Sequence, residues 1–137
     1  MFKRDGATGA GLYRLDSTAT TPVTLAGSSG LDDYSRLNTA GTDVAFQCDS
    51  MGTTRLCRSK SDGAERRYLG PPGSPQSSMP DWSPDGANLT FLQSNSVYTT
   101  DSAGTGRAPV AGMPTFVNNG TAWSRDGTRL AYSNASY

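Results

Sequence analysis

Three apolar columns recur along this chain in one register. Leu25, Leu69 and Val110 stand 44 and 41 residues apart, and Tyr13, Cys57 and Tyr98 keep the same two intervals. Phe2, Phe46, Phe91 and Tyr132 follow at 44, 45 and 41. Three independent columns in step mark a tandem repeat. A period of this size, carried by short strand-like segments, fits the blades of a β-propeller, each a four-stranded sheet. The expected fold is therefore all-β, with about three blades in one segment covering residues 1–137. The repeats run over about 2–45, 46–90 and 91–131, and the remainder is a terminal strand.

Composition fits short strands whose alternate side chains face water. Only 34% of residues are hydrophobic, while Gly numbers 16. Such polarity also occurs in disordered chains, but here the apolar residues are periodic and include two Trp, six Tyr and four Phe. Twelve basic and twelve acidic residues cancel, so no net field draws nucleic acid or anionic lipid. No apolar run approaches the roughly 18 residues of a membrane span. The opening MFKRDGATGA lacks the apolar stretch of a signal peptide, although a mature or excised secreted segment would read the same.

Each copy divides into two hairpins. In the clearest, Asp81-Trp82-Ser83 ends a first strand and Ser83-Pro84-Asp85-Gly86 turns the chain, with Pro presetting φ and Gly accepting positive φ. Leu89 to Leu92 is the second strand, Val97 to Thr100 the third, and Arg107 to Val110 a short outer strand that tolerates Pro109 at its unpaired side. Ala122-Trp123-Ser124-Arg125-Asp126-Gly127 repeats the first turn. An earlier copy leads from Tyr34-Ser35-Arg36 through Thr39-Ala40-Gly41 to Val44-Ala45-Phe46; aligned on Tyr34 and Trp82, its turn is three residues longer. Third strands are expected at 12–15 and 55–58, and outer strands at 22–25 and 66–69. Helical periodicity is almost absent.

The segments WSPDG (Trp82 to Gly86) and WSRDG (Trp123 to Gly127), each followed by a small-aromatic strand, resemble the WD40-like repeat of TolB-type β-propellers. The resemblance covers nearly the whole chain, and the copy at Tyr34 departs from it in lacking Pro-Asp-Gly. It implies a scaffold that binds other proteins or peptides. Similar repeats also occur in propellers attached to prolyl-oligopeptidase-like peptidases. Trp82 and Trp123, at matched positions, are expected to fill space between blades, and Asp85 and Asp126 to form turns.

Closed propellers need roughly four to eight blades, more than this chain supplies. Three blades leave apolar faces and strand edges open to association. Two copies joined head to tail would make six blades, the number that TolB-type propellers have, and a contact that closes makes a ring. Alternatively, the remaining blades belong to a longer chain. The sequence begins and finishes on second strands, so Phe2 and Tyr132 compete for equivalent positions.

Cys48 and Cys57 lie on successive strands across the turn from Asp49 to Thr54, as plausible disulfide partners or as two small buried thiols. A bridge would favour a periplasmic or secreted setting over the cytoplasm. With no His and two Cys, neither a metal site nor a cofactor is expected. The absence of His also removes the commonest general base, and no Gly-x-Ser-x-Gly segment exists, so the expected function is non-catalytic. Asp32 and Asp33 adjoin an inner strand, where neighbours point to opposite faces; they are expected to line the channel or the rim. Arg55, Arg58, Arg66 and Arg67 read as a solvated edge guarded against sheet addition. The glycan acceptor pattern at Asn88, Asn119 and Asn134 matters only on a eukaryotic secretory route.

In propellers the loops entering the innermost strands share one face with those joining second to third strands. The entering loops here run over 29–33, 77–81 and 116–121. They offer Leu31, Asp32, Asp33, Met79, Asp81, Phe116, Asn118 and Asn119 as a partner-binding set, an apolar and polar mixture suited to protein or peptide recognition. Leu31, Met79 and Phe116 would otherwise cap the blade core. Three functions follow as alternatives: a protein- or peptide-binding scaffold, the propeller part of a hydrolase whose catalysis lies elsewhere, or a self-assembling fragment without a ligand.

Overall fold

The computed structural model describes residues 2–4, 11–25, 32–50, 52–71 and 73–134. Every regular element among them is a strand, and the strands form antiparallel sheets in chain order. The first sheet holds β1 (Phe2–Arg4), β2 (Gly11–Arg14) and β3 (Val23–Thr24). The second holds β4 (Asp33–Leu37), β5 (Asp43–Ser50), β6 (Thr53–Lys60) and β7 (Arg67–Tyr68). The third repeats it with β8 (Ser77–Trp82), β9 (Asn88–Gln93), β10 (Ser96–Asp101) and β11 (Ala108–Pro109). The fourth holds β12 (Val117–Trp123) and β13 (Leu130–Asn134). Sequential strands are neighbours throughout, as in propeller blades.

The cores lie between sheets, because side chains alternate along each strand. Val44, Phe46 and Cys48 of β5 face the first sheet and pack with Leu12, Leu25 and Cys57. Ala45, pointing the other way, joins Leu56, Leu69, Trp82, Leu89 and Phe91 between the second and third sheets. Leu92, Val97 and Val117 form a smaller layer between the third sheet and β12. The period found in the sequence is also a period of backbone bonds. Leu25 donates to Leu12, Leu69 to Leu56 and Val110 to Val97, at 2.8, 2.9 and 2.9 Å. Trp82 lies between blades as expected, its Nε1 donating to the Arg36 carbonyl at 3.0 Å. Trp123, the matched residue, is only half-buried.

The first turn of the second sheet departs from expectation. Leu37, and not Tyr34, is the counterpart of the tryptophans: it pairs with Val44 as Trp82 pairs with Leu89 and Trp123 with Leu130. The three turns have one length, with Asn38 bonding Asp43, Ser83 bonding Asn88 and Ser124 bonding Arg129, each at 2.9 Å. Aligning on the aromatic residue misplaces this copy because a leucine ends its strand. The chemistry is equivalent: the Asn38 side chain accepts from the Thr42 amide at 2.9 Å, where the Ser83 hydroxyl accepts from Asn88 and the Ser124 hydroxyl from Arg129. Asp126 behaves as a turn former. The hydroxyl and amide donors of Ser124 and Thr128 hold its carboxylate down at a pKa of about 2.

Cys48 and Cys57 form a disulfide with Cα atoms 5.9 Å apart. They do not face each other directly, since Cys48 pairs with Arg55 and Cys57 with Phe46; the bridge runs diagonally across the ladder. The pairing continues past the expected turn to Ser50 and Thr53, so the hairpin is tighter than 49–54. Both half-cystines are fully buried. Closing so short a loop stabilises the fold by about 3 kcal/mol in the chain-entropy model.

Candidate functional site

The first strands of three sheets, β4, β8 and β12, lie side by side and carry a repeated irregularity. Register shifts fall between Asp33 and Arg36, between Ser78 and Asp81, and between Val117 and Thr121. At each shift one residue has positive φ: Tyr34 at 49°, Met79 at 52° and Gly120 at 74°. These are β-bulges, and they re-aim side chains on the inner edge of each blade. Two bulky residues hold a left-handed conformation there at a cost of order 1 kcal/mol or more each. Gly120 has a second reason to be glycine, because a Cβ there would meet the Met79 Cβ at 3.1 Å.

Two clefts open on this edge and share Met79. The larger, about 360 Å³, takes Gln47 and Thr54 from the second sheet, Gln76, Ser78 and Asn95 from the third, and Asn118 from β12. Its lining is amide, hydroxyl and thioether or aliphatic, without an ionisable group among the described residues. The smaller, about 220 Å³, lies among Tyr34, Arg36, Pro80, Asn119 and Thr121. Phe116 is 63% exposed and has φ 72°. Its neighbour Val117 donates to the Asn95 carbonyl at 3.0 Å, which ties Phe116 to the rim of the larger cleft.

The sequence-derived residues divide accordingly. Met79 and Asn118 line the larger cleft, and Met79 and Asn119 the smaller. Asp81 is half-buried behind them, accepting from the Trp123 amide at 3.0 Å with Arg36 4.0 Å away; burial pushes its carboxyl pKa up. Asp33 accepts from the Tyr34 amide at 2.9 Å within its own bulge. Leu31 lies outside the described residues. Asp32 does not line the channel surface: it is fully buried, and Arg66 donates to both its carboxylate oxygens at 2.7 and 3.0 Å. The bulges and the contribution of Gln47 and Thr54 went unread. A signal existed in the Gln93-Ser94-Asn95 turn, whose Ser94 and Asn95 at φ 49° and 61° make the tight hairpin that brings the second-to-third-strand loop onto this face.

The arginine cluster is likewise mostly internal. The Arg58 guanidinium donates to Asp43 at 2.7 Å and to the Ser102 carbonyl of the next sheet at 2.7 Å, and lies 5.7 Å over the Trp82 ring. Burial alone would raise the Asp43 carboxyl, but hydrogen bonds from Thr42, Arg58 and Lys60 outweigh it and hold the pKa down. Arg66 grips Asp32, and Arg55 lies over Tyr68; Arg67 is the exposed member. Contacts distant in sequence, within the second sheet for Arg66 and Arg55 and to the third sheet for Arg58, make fasteners of residues that a linear reading places on a surface edge.

A bladed, all-β segment with inner-strand bulges around a shared edge defines a propeller arc. No protein-family model matches the chain, and no curated protein matches it. Among solved structures it is similar to TolB from Acinetobacter baumannii, with a TM-score of 0.80 and 18% identity over 98% of this chain and 34% of that one. It is similar also to a putative TolB from Agrobacterium tumefaciens, with a TM-score of 0.71 and 18% identity over 92% of this chain and 51% of that one. The fold is that of a TolB-like β-propeller, and the chain spans between 34% and 51% of the length of these two structures.

Proposed function

We propose that the chain is a non-catalytic propeller scaffold that binds a protein or an extended peptide at the bulged inner edge. The observation that carries the reading is the cleft of about 360 Å³ built from three successive sheets, with exposed Phe116 at its rim. An uncharged lining of amides and hydroxyls pairs with peptide backbone groups, while Met79 and Phe116 supply adaptable apolar contact. Peptides selected from a displayed library on the intact protein provide the test. Phe116→Ala, and separately Asn118→Ala, are expected to weaken the selected peptides tenfold or more, as for a central contact residue. Unchanged binding in both variants would remove this face from the reading.

The scaffold reading includes closure by further blades, in our view from a second copy, giving six. Tyr132 stands in the column of Phe46 and Phe91, which are 1% and 0% exposed, yet it is 46% exposed. Among the described residues β13 has a partner on one side only, and the first sheet has no strand matching β4. The strand pair and the three-stranded sheet together hold five strands, so in a closed blade either β1 or β13 yields the second-strand place, and an uncovered aromatic column favours association. Light scattering is expected to give about twice 14.4 kDa; a stable 14.4 kDa particle would contradict the two-copy ring. The buried disulfide supports a periplasmic or secreted setting.

A further inference from the structure

Arg66 and Arg107 occupy one repeat position, just before the outer strands, but only one of them has a carboxylate. Each lies over the second-strand phenylalanine of its own sheet, Arg66 4.9 Å from the Phe46 centroid and Arg107 4.4 Å from that of Phe91. Asp32 neutralises Arg66. The residue matching Asp32 in the next sheet is Ser77, so Arg107 donates to a neutral hydroxyl. That hydroxyl itself donates to the Pro75 carbonyl at 3.0 Å. Among the described residues no carboxylate lies within ion-pair distance of Arg107 or of Arg55. Burial pushes the Arg107 pKa down, the response of a cation lacking a counter-charge.

Both guanidiniums face the same small space. Arg55, Arg107, Tyr68, Gly70, Ser74 and Ser77 line a cavity of about 10 Å³. The Nε of Arg55 and the Nε of Arg107 are each buried without a hydrogen-bond partner. Gly70, at φ 110°, lets the Arg107 Nη1 approach, since a Cβ there would meet it at 2.9 Å. The volume suits one monatomic particle and is too small for phosphate or a carboxylate ligand. Water would fit but, being neutral, would leave both half-buried guanidiniums without a counter-charge.

We propose that Arg55 and Arg107 hold a single chloride ion in this cavity, supplying to the third sheet the negative charge that Asp32 supplies to the second. Thermal unfolding in sodium chloride and in sodium gluconate at equal ionic strength tests it. A midpoint higher by about 3 °C is expected in about 200 mM chloride, with bromide substituting for chloride. Ser77→Asp restores an internal carboxylate and is expected to abolish the difference between the salts. Chloride-35 resonance broadening by the wild-type protein is expected to disappear in Arg107→Gln. Equal midpoints for the wild type in the two salts, or broadening that persists undiminished in Arg107→Gln, would overturn the proposal.

Discussion

Arg66→Met is expected to destabilise the protein by about 3–5 kcal/mol, because it takes the bidentate Arg66 cation from a buried carboxylate. Asp32 is fully buried, and its two oxygens are both satisfied by the Arg66 guanidinium. The same hydrogen bonds push the Arg66 pKa up, so its guanidinium stays charged. The substitution also removes the cation from the Phe46 ring. Urea unfolding read by tryptophan fluorescence measures the loss, with the slope unchanged if only stability is altered. The double variant Asp32→Leu with Arg66→Met is expected to recover most of it, since a buried ion pair contributes little beyond an apolar pair of similar volume. A single-variant loss below about 1 kcal/mol would show that water reaches the carboxylate.

Phe91→Ala is expected to cost about 4 kcal/mol. The ring is fully buried between the second and third sheets, stacks on Tyr98 at 6.0 Å and underlies the Arg107 guanidinium. Removing it opens a cavity bounded by strand backbone on both sides, where collapse is limited. Tyr132→Ala gives the contrast, because it truncates the same repeat column at a side chain 46% exposed. In a free chain its cost is expected to stay near 1 kcal/mol or below. In a closed assembly it rises toward that of Phe91 and grows with protein concentration. Measuring both variants at two concentrations separates the cases.

The fold was legible because its period is written in large apolar residues. Phe46, Phe91, Leu25 and Leu69 are core residues whose spacing is the blade spacing. The register of the copy at Tyr34 was not legible, since Leu37 and Asn38 do the work of Trp and Ser without resembling them. Met79 and Asn118 were expected in loops entering the inner strands, but both lie within strands, β8 and β12, at register shifts that composition does not reveal. Asp32 was not separable from Asp33 by sequence: its burial depends on Arg66, 34 residues away. The disulfide followed from two cysteines on adjacent strands, whereas its diagonal course depended on a register that composition does not encode.

Arg14 reaches the Ser61 carbonyl of the following sheet, and Arg58 reaches that of Ser102, so each staple points forward along the chain. The corresponding residue of the third sheet is Thr99, which turns back to the Leu89 carbonyl of its own sheet. The seam beyond it holds the smallest apolar layer, Leu92, Val97 and Val117. That seam is latched in the opposite sense, by amides of the later strand reaching back: Val117 donates to the Asn95 carbonyl and Trp123 to the Asp81 carboxylate, so β12 is moored by its own backbone where the earlier sheets use arginine side chains.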